Sequence, residues 1–293
     1  SERIRESIDE AMSTWLPYID ISDIDALIEK TLSEDIQTGD ITTRNIFKND
    51  QIAVAEVIAR EKIILCGLDI FQSVFKKLTT DVLFNSFSHQ DGNEIEEGDI
   101  ILKIECSLIA LLEGERSALN ILQWLSGIST ITNKFVQKAY PVKVLDTRKT
   151  TPGFRIFEKY AVKCGGGINH RMGLYDQILI KDNHIQAAGS ISNAVNNIRN
   201  NIANNKKVEL EVKNLEQVQE ALKNKVDIIL LDNMSLEMIN KSISLINGQA
   251  TIEISGGVNY KSLEQISKTG ADYVSVGALT HSASAVDISM LII

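Results

Sequence analysis

The sequence predicts an α/β protein in which a mixed first third leads into a parallel barrel of strand–helix units. Three observations carry that expectation. From Val142 onward, short β-branched or Leu-rich runs alternate with helical patterns, and repeated βα units require a parallel sheet with right-handed crossovers. The last four strand ends, Glu211, Asp232, Ser255 and Gly277, follow one another at 21, 23 and 22 residues, the length of one strand plus one helix. Every run closes on a polar residue or a glycine. A barrel gathers all such ends at one mouth, whereas an open sheet gathers only the few beside its switch point.

Taken in order, Ser22 before Asp23-Ile24-Asp25 reads as a helix N-cap with acid in the first turn. Gln51–Arg60 and Asp81–Ser88 alternate as half-buried strands, and Asp91-Gly92 marks a turn. Leu108–Ala139 is helical in period and interrupted only by Gly114 and Gly127. The strand runs are then Val142–Leu145 ending at Asp146, Ile178–Ile180 at Lys181, Val208–Leu210 at Glu211, Ile228–Leu231 at Asp232, Thr251–Ile254 at Ser255 and Tyr273–Val276 at Gly277. Six strands are visible, fewer than the eight of a full (β/α)₈ barrel.

A chain of 293 residues, 44% of them hydrophobic, can bury a large core without disulfides and suggests about two domains. Thirty Lys and Arg against 39 Asp and Glu give a net charge of -9, which argues against nucleic acid or an anionic membrane surface as partner. No apolar run approaches the roughly 18 residues that span a bilayer. The opening Ser1–Glu6 mixes charges and lacks the apolar stretch of a secretory signal. Cys66, Cys106 and Cys164 are odd in number and widely spaced, so they are read as buried free thiols of a cytoplasmic protein rather than a disulfide or zinc framework.

Charge is unevenly spread. Asp146–His184 holds seven basic and four acidic residues, +3 inside a chain of -9, which leaves -12 elsewhere. Arg155, Lys159 and Lys163 fall at helical spacing and read as a solvated face. Arg148, Lys149, Arg171 and Lys181 lie after strands or in the loop between them and read as anion ligands, Arg as a bidentate fork and Lys as a point charge. Gly165-Gly166-Gly167 before Ile168-Asn169-His170-Arg171 suggests close backbone approach or positive-φ positions, with a flexible hinge as the plain alternative. His170 is expected to donate to an anion, His184 divides evenly between a structural and a functional role, and His89 reads as an exposed turn residue; no histidine pair has metal-ligand spacing. Ser255-Gly256-Gly257 and Gly277-Ala278, after adjacent strands, fit a phosphate cradle of backbone amides. Glu211 and Asp232 then suit Mg²⁺ or sugar hydroxyls, with structural salt bridges as the plain alternative. The residues alone point to a small polyanion plus a sugar phosphate, without naming a reaction.

Asp146-Thr147-Arg148-Lys149-Thr150-Thr151-Pro152-Gly153 followed by Gly165–His184 closely resembles the quinolinate phosphoribosyltransferase family. The resemblance extends through Glu34–Thr43, Gly114–Asn120, Glu253–Gly257 and Val276–His281, with departures at Gln37, Ser117 and Phe154. It implies an N-terminal α/β sandwich domain over 1–115, joined by a C-terminal strand at 285–293, and a partial, seven-stranded α/β barrel over 116–284. It also implies a homodimer with shared active sites, Arg116 coming from the neighbouring subunit. The implied reaction joins quinolinate to phosphoribosyl pyrophosphate with Mg²⁺ to give nicotinate mononucleotide, pyrophosphate and CO₂, a step of de novo NAD biosynthesis. By the same resemblance Arg116, Arg148, His170, Arg171 and Lys181 hold the carboxylates, and Lys149 faces the leaving pyrophosphate. Glu211 and Asp232 engage ribose or Mg²⁺, directly or through substrate, and Ser255, Gly256, Gly257 and Gly277 hold the 5′-phosphate. Thr147 and His281 complete the substrate-binding set, and Lys149, Lys181, Glu211 and Asp232 are the catalytic residues. Rival expectations are nicotinate phosphoribosyltransferase chemistry without decarboxylation, a Schiff-base role for Lys181, and a catalytically silent sugar-phosphate sensor.

Overall fold

A computed structural model describes residues 19–47, 49–202 and 206–293; the opening segment Ser1–Glu6, and the secretory-signal reading made on it, lie outside the described residues. The chain forms two compact units, one of Pro17–Asn133, Ile156–Gly166 and Ser282–Ile293, the other including Lys134–Arg155 and Gly167–His281.

The first unit is built on an antiparallel sheet in the order β12-β1-β5-β3. Its strands are β1 (Ile52–Ala59), β3 (Leu83–Asn85), β5 (Ile100–Ser107) and β12 (Ile288–Ile292). The chain end returns to the sheet, with Ile288 opposite Ala59 and Ile292 opposite Ala55. A two-stranded ladder of β2 (Ile63–Ile64) and β4 (Glu94–Ile95) accompanies it. The helix Leu68–Leu78 buries Leu68, Phe71, Val74 and Phe75 in a core that also takes in Ile28, Leu102, Leu111, Leu122 and Met290. Each such side chain removed from water contributes about 1.5–3 kcal/mol.

Two local expectations shift. The first helix runs Ile21–Asp35, capped by Asp20 rather than Ser22; Asp20 has an extended backbone and accepts the Ser22 amide, the geometry an N-cap requires. β3 stops well short of Ser88, because Phe87 and Ser88 take φ of 50° and 68° and turn the chain out of the strand. Cys66 and Cys106 are buried and Cys164 half-buried, all three free. Leu108–Ala139 is one continuous helix through residues 115 and 116, so no break in local structure marks a domain limit there.

The second unit is a parallel sheet in the order β6-β11-β10-β9-β8-β7. Its strands are β6 (Lys143–Leu145), β7 (Ile178–Ile180), β8 (Val208–Val212), β9 (Ile228–Asp232), β10 (Thr251–Ser255) and β11 (Tyr273–Ser275). On the outer side of β6, Leu145 makes a single parallel bridge to Ile168, which holds the place of a seventh strand. The strands are short and aliphatic because helices cover them, which gives near-continuous apolar runs. Three crossover helices start on capping side chains: Ser190, Asn214 and Ser235 accept the amides of Asn193, Gln217 and Met238. Parallel register puts the C-terminal ends of all these strands on one side. Among the described residues no helix is long and apolar enough to cross a membrane.

Candidate active site

The strand ends of the second unit open onto a cavity of about 580 Å³. Following the sheet, its wall begins with His170 and Arg171 after the Ile168 bridge and continues with Thr147, Arg148 and Lys149 after β6. Gly277 and His281 follow β11, then Ser255, Gly256 and Gly257 at β10, Asp232 at β9, Glu211 on β8 and Lys181 after β7. Cations therefore stand at both ends of the ladder, the glycine turns in the middle, and the two carboxylates between those turns and Lys181.

The cationic end rests on buried acids. Asp146, fully buried, accepts the His170 amide at 2.8 Å and Asn169 Nδ2 at 2.6 Å, so the first strand end anchors the His170–Arg171 turn. His170 Nδ1 accepts the Arg171 amide at 2.7 Å. A nitrogen that accepts cannot carry the proton, so the neutral ring is protonated at Nε2. That Nε2 stands 3.3 Å from Glu209 and 3.6 Å from Glu253, both fully buried. Arg171 is a buried residue as a whole, and its guanidinium donates to the Gln177 main-chain carbonyl at 3.4 Å. Burial, and then the neighbouring charge of Arg148, hold Arg171 below the usual arginine range. Two cations lining one end of the same cavity favour an anion between them.

The glycine end is shaped by close packing. Gly256 and Gly257 take φ of 85° and 64°, and a Cβ on Gly256 would lie 2.6 Å from the Asn233 amide nitrogen. Only glycine fits that turn, and Asn233 N donates to the Ser255 carbonyl at 2.8 Å to hold it. A Cβ on Gly277 would sit 2.9 Å from Lys149 Cδ and 3.1 Å from His281 Nε2. The Thr280 hydroxyl donates to the Lys149 carbonyl at 2.7 Å, which ties the lysine to this turn. At the acidic stretch, Lys181 Nζ pairs with Glu211 at 2.9 Å. That pairing suits an ammonium and differs from the apolar walls a Schiff-base lysine needs.

Several expected residues lie elsewhere or act differently. Arg116 is exposed on the long helix of the other unit, 3.4 Å from Glu115, and does not line this cavity. His184 is structural: its Nδ1 accepts the Lys181 amide at 2.9 Å. His170 lines the cavity, but both ring nitrogens face protein groups. The glycine run has a packing reason, since a Cβ on Gly165 would meet the Ser129 carbonyl at 2.4 Å. The solvated face expected at Arg155, Lys159 and Lys163 does not form as one: Lys159 is fully buried and only Lys163 is exposed. Arg155, half-buried, donates to Thr150 Oγ1 at 2.9 Å and to the Met172 carbonyl at 3.0 Å, bracing the two cationic turns against each other.

The family profiles described as quinolinate phosphoribosyl transferase, N-terminal and C-terminal domain, match residues 40–126 and 128–291. The chain belongs to the quinolinate phosphoribosyltransferase family. A probable nicotinate-nucleotide pyrophosphorylase (carboxylating) of Bacillus subtilis (strain 168) is 41% identical over 90% of this chain and 91% of that protein. A quinolinate phosphoribosyltransferase (decarboxylating) of Nicotiana tabacum is 36% identical over 92% of this chain and 82% of its own. Among solved structures, NadC from Streptococcus pyogenes superposes with a TM-score of 0.90 at 42% identity, covering 94% of this chain and 99% of that one.

In this member of the family, sequence reasoning missed the buried acids Asp146, Glu209 and Glu253. A signal was present. Side chains alternate along a strand, so Glu209 shares a face with Glu211, and Glu253 with Ser255. Burial, and then the charge of Glu209, push the Glu253 carboxyl from an ordinary 4.5 up to about 8. The folded state thus binds a proton that the unfolded chain releases, so stability should fall as pH rises from about 4.5 to about 8. Glu253→Gln, which needs no proton, should flatten that slope and gain thermal stability relative to the parent most at pH 8. Unfolding curves of both proteins that stay parallel from pH 5 to 8 would refute the assignment.

Proposed function

We propose that the protein transfers the phosphoribosyl group of phosphoribosyl pyrophosphate to quinolinate, with release of pyrophosphate and CO₂, to give nicotinate mononucleotide in NAD biosynthesis. The observation that carries this reading is that Arg148 and Arg171, the latter a buried residue, line one end of a cavity whose middle is two glycine turns. A dicarboxylate satisfies the first and a 5′-phosphate the second.

In this reading Arg148, Arg171 and Lys181 hold the two carboxylates of quinolinate, with Arg171 kept in place by His170. They aim the ring nitrogen at ribose C1, while Ser255, Gly256, Gly257 and Gly277 fix the sugar through its phosphate. The ring nitrogen forms the new bond as the C1–O bond to pyrophosphate breaks, and Lys149 balances the charge on the leaving group. The positive charge of the alkylated ring nitrogen stabilises the electron pair left on the neighbouring carbon when the 2-carboxylate departs as CO₂, and that carbon then takes up a proton. Glu211 and Asp232, oxygen donors at adjacent strand ends, suit Mg²⁺ held jointly with substrate phosphates, or the ribose hydroxyls. Bound there, the ion would neutralise pyrophosphate charge. Thr147 and His281 line the same cavity and complete the substrate contacts.

We also propose a homodimer in which a second copy supplies Arg116, supported by the exposure of that arginine on its own chain. A cytoplasmic location is supported by three free thiols. Incubation with quinolinate, phosphoribosyl pyrophosphate and Mg²⁺ should yield nicotinate mononucleotide and CO₂ in equal amounts. Turnover of nicotinate without CO₂ would move the assignment to the monocarboxylate chemistry, and binding with no pyrophosphate released would make the protein a sensor.

A further inference from the structure

Beneath the cationic end of the cavity lie two glutamates that no step above uses. Glu209 and Glu253 project from β8 and β10, are essentially inaccessible, and bring carboxylate oxygens within 4.8 Å of each other and of His170 Nε2. Two buried acids together are costly unless they hold something. A metal ion is poorly suited to the place. The His170 Nδ1 atom accepts a backbone amide, so Nε2 keeps its proton and has no lone pair for a cation.

What the acids do hold is the arginine clamp, by two arms that meet on one atom. Glu209 Oε2 accepts Gln177 Nε2 at 3.0 Å, and the main-chain carbonyl of that same residue accepts Arg171 Nη1 at 3.4 Å, so this arm runs through the backbone of Gln177. Glu209 Oε2 also stands 3.3 Å from His170 Nε2, and the far nitrogen of that ring takes the Arg171 amide at 2.7 Å. One arm thus reaches the guanidinium and the other the backbone of the same residue. We propose that Glu209, with Glu253 beside it at the His170 ring, is a positioning residue that fixes the His170 tautomer and the direction of Arg171 for one carboxylate of the dicarboxylate substrate. The proposal rests on the quinolinate reading for the identity of that substrate. The arrangement around Glu209 stands apart from that reading.

The test uses the full chain with Glu209→Leu, Glu209→Gln and Gln177→Ala. Supporting groups of this kind typically change affinity or activity by about 10- to 100-fold when removed. Glu209→Leu should raise the KM for quinolinate by about that range, while the KM for phosphoribosyl pyrophosphate, held by the glycine turns, moves by less than about twofold. Glu209→Gln keeps an acceptor oxygen for both arms and should recover most of the loss. Gln177→Ala, at a half-buried position, removes the side-chain link to Glu209 while leaving the main-chain carbonyl that Arg171 uses, and should show an intermediate rise. Imidazole ¹⁵N NMR of the substrate-free protein gives the second readout: His170 pinned as the Nε2–H tautomer in the parent and in Glu209→Gln, and a tautomer mixture in Glu209→Leu. Equal loss of both substrates with an unchanged tautomer would make Glu209 merely structural and overturn the proposal, as would no change in either readout. A parent protein that does not turn over quinolinate removes the functional reading instead. The tautomer in Glu209→Leu then decides the positioning role alone.

Discussion

Arg171→Ala should lower kcat/KM for quinolinate by about 10³-fold, close to 4 kcal/mol of lost transition-state stabilisation. The size follows from where Arg171 sits. It is buried, shares its surroundings with Arg148, and is held below the usual arginine range by desolvation and by that neighbour. In the free protein the two cations oppose each other, and a dianion relieves the opposition. Binding energy at this point therefore depends on the ligand carrying two neighbouring carboxylates. A group that instead met solvent would be worth a small fraction of this, since exposed ion pairs contribute about 0–1 kcal/mol.

Two comparisons separate this account from a general loss of positive charge. Arg171→Lys keeps the charge but cannot present a planar fork, and it should recover only a minor part of the activity. Nicotinate, with one carboxylate, leaves part of the clamp unpaired, and the parent enzyme should reject it by about 10⁴-fold or more. Steady-state rates for the parent and both variants on both acids supply the check. If Arg171→Ala loses no more than a few-fold with quinolinate, the buried arginine is not the dicarboxylate ligand. The assignment of the cationic end would then have to move to Arg148 and Lys181.

The mouth of the barrel was legible because its chemistry is punctuation. Lys181, Glu211, Asp232, Ser255 and Gly277 each interrupt an aliphatic run, and parallel register brings such interruptions together whatever the details of packing. The supporting groups were not legible, for a physical reason. Glu209 and Glu253 sit inside strands between aliphatic residues, where an acid reads as the exposed half of an alternating pattern; only counting back two residues from a known strand end puts them inside. Lys159 misled in the opposite direction. Its spacing with Arg155 and Lys163 marks one helix face, but periodicity cannot say which neighbours each residue of that face meets: Lys159 is buried, Arg155 half-buried and Lys163 exposed. The glycine run before His170 pointed to close backbone approach, and Gly165 makes that approach to the Ser129 carbonyl. A sequence shows that small size is required without showing by what.

Arg116 leads to the prediction with the largest contrast between two measurements. The residue is exposed, its ion pair with Glu115 is long at 3.4 Å, and among the described residues no other ion pair accounts for an arginine on the long helix. If a second copy receives it, Arg116→Ala disables the site of its neighbour, whereas Lys181→Ala disables the site of its own barrel. Each variant alone should be nearly inactive. In a two-fold symmetric dimer the interface is reciprocal, so a mixed dimer carries one doubly damaged site and one site with both residues intact. Random assortment of equal amounts makes about half of the dimers mixed, each with one working site of two, so about a quarter of the parent activity should return. Co-expressing the two variants with different tags and purifying on both isolates the mixed dimer, which should then reach about half. No recovery in that doubly tagged fraction would mean that each chain completes its own site, and Arg116 would leave the set of substrate ligands.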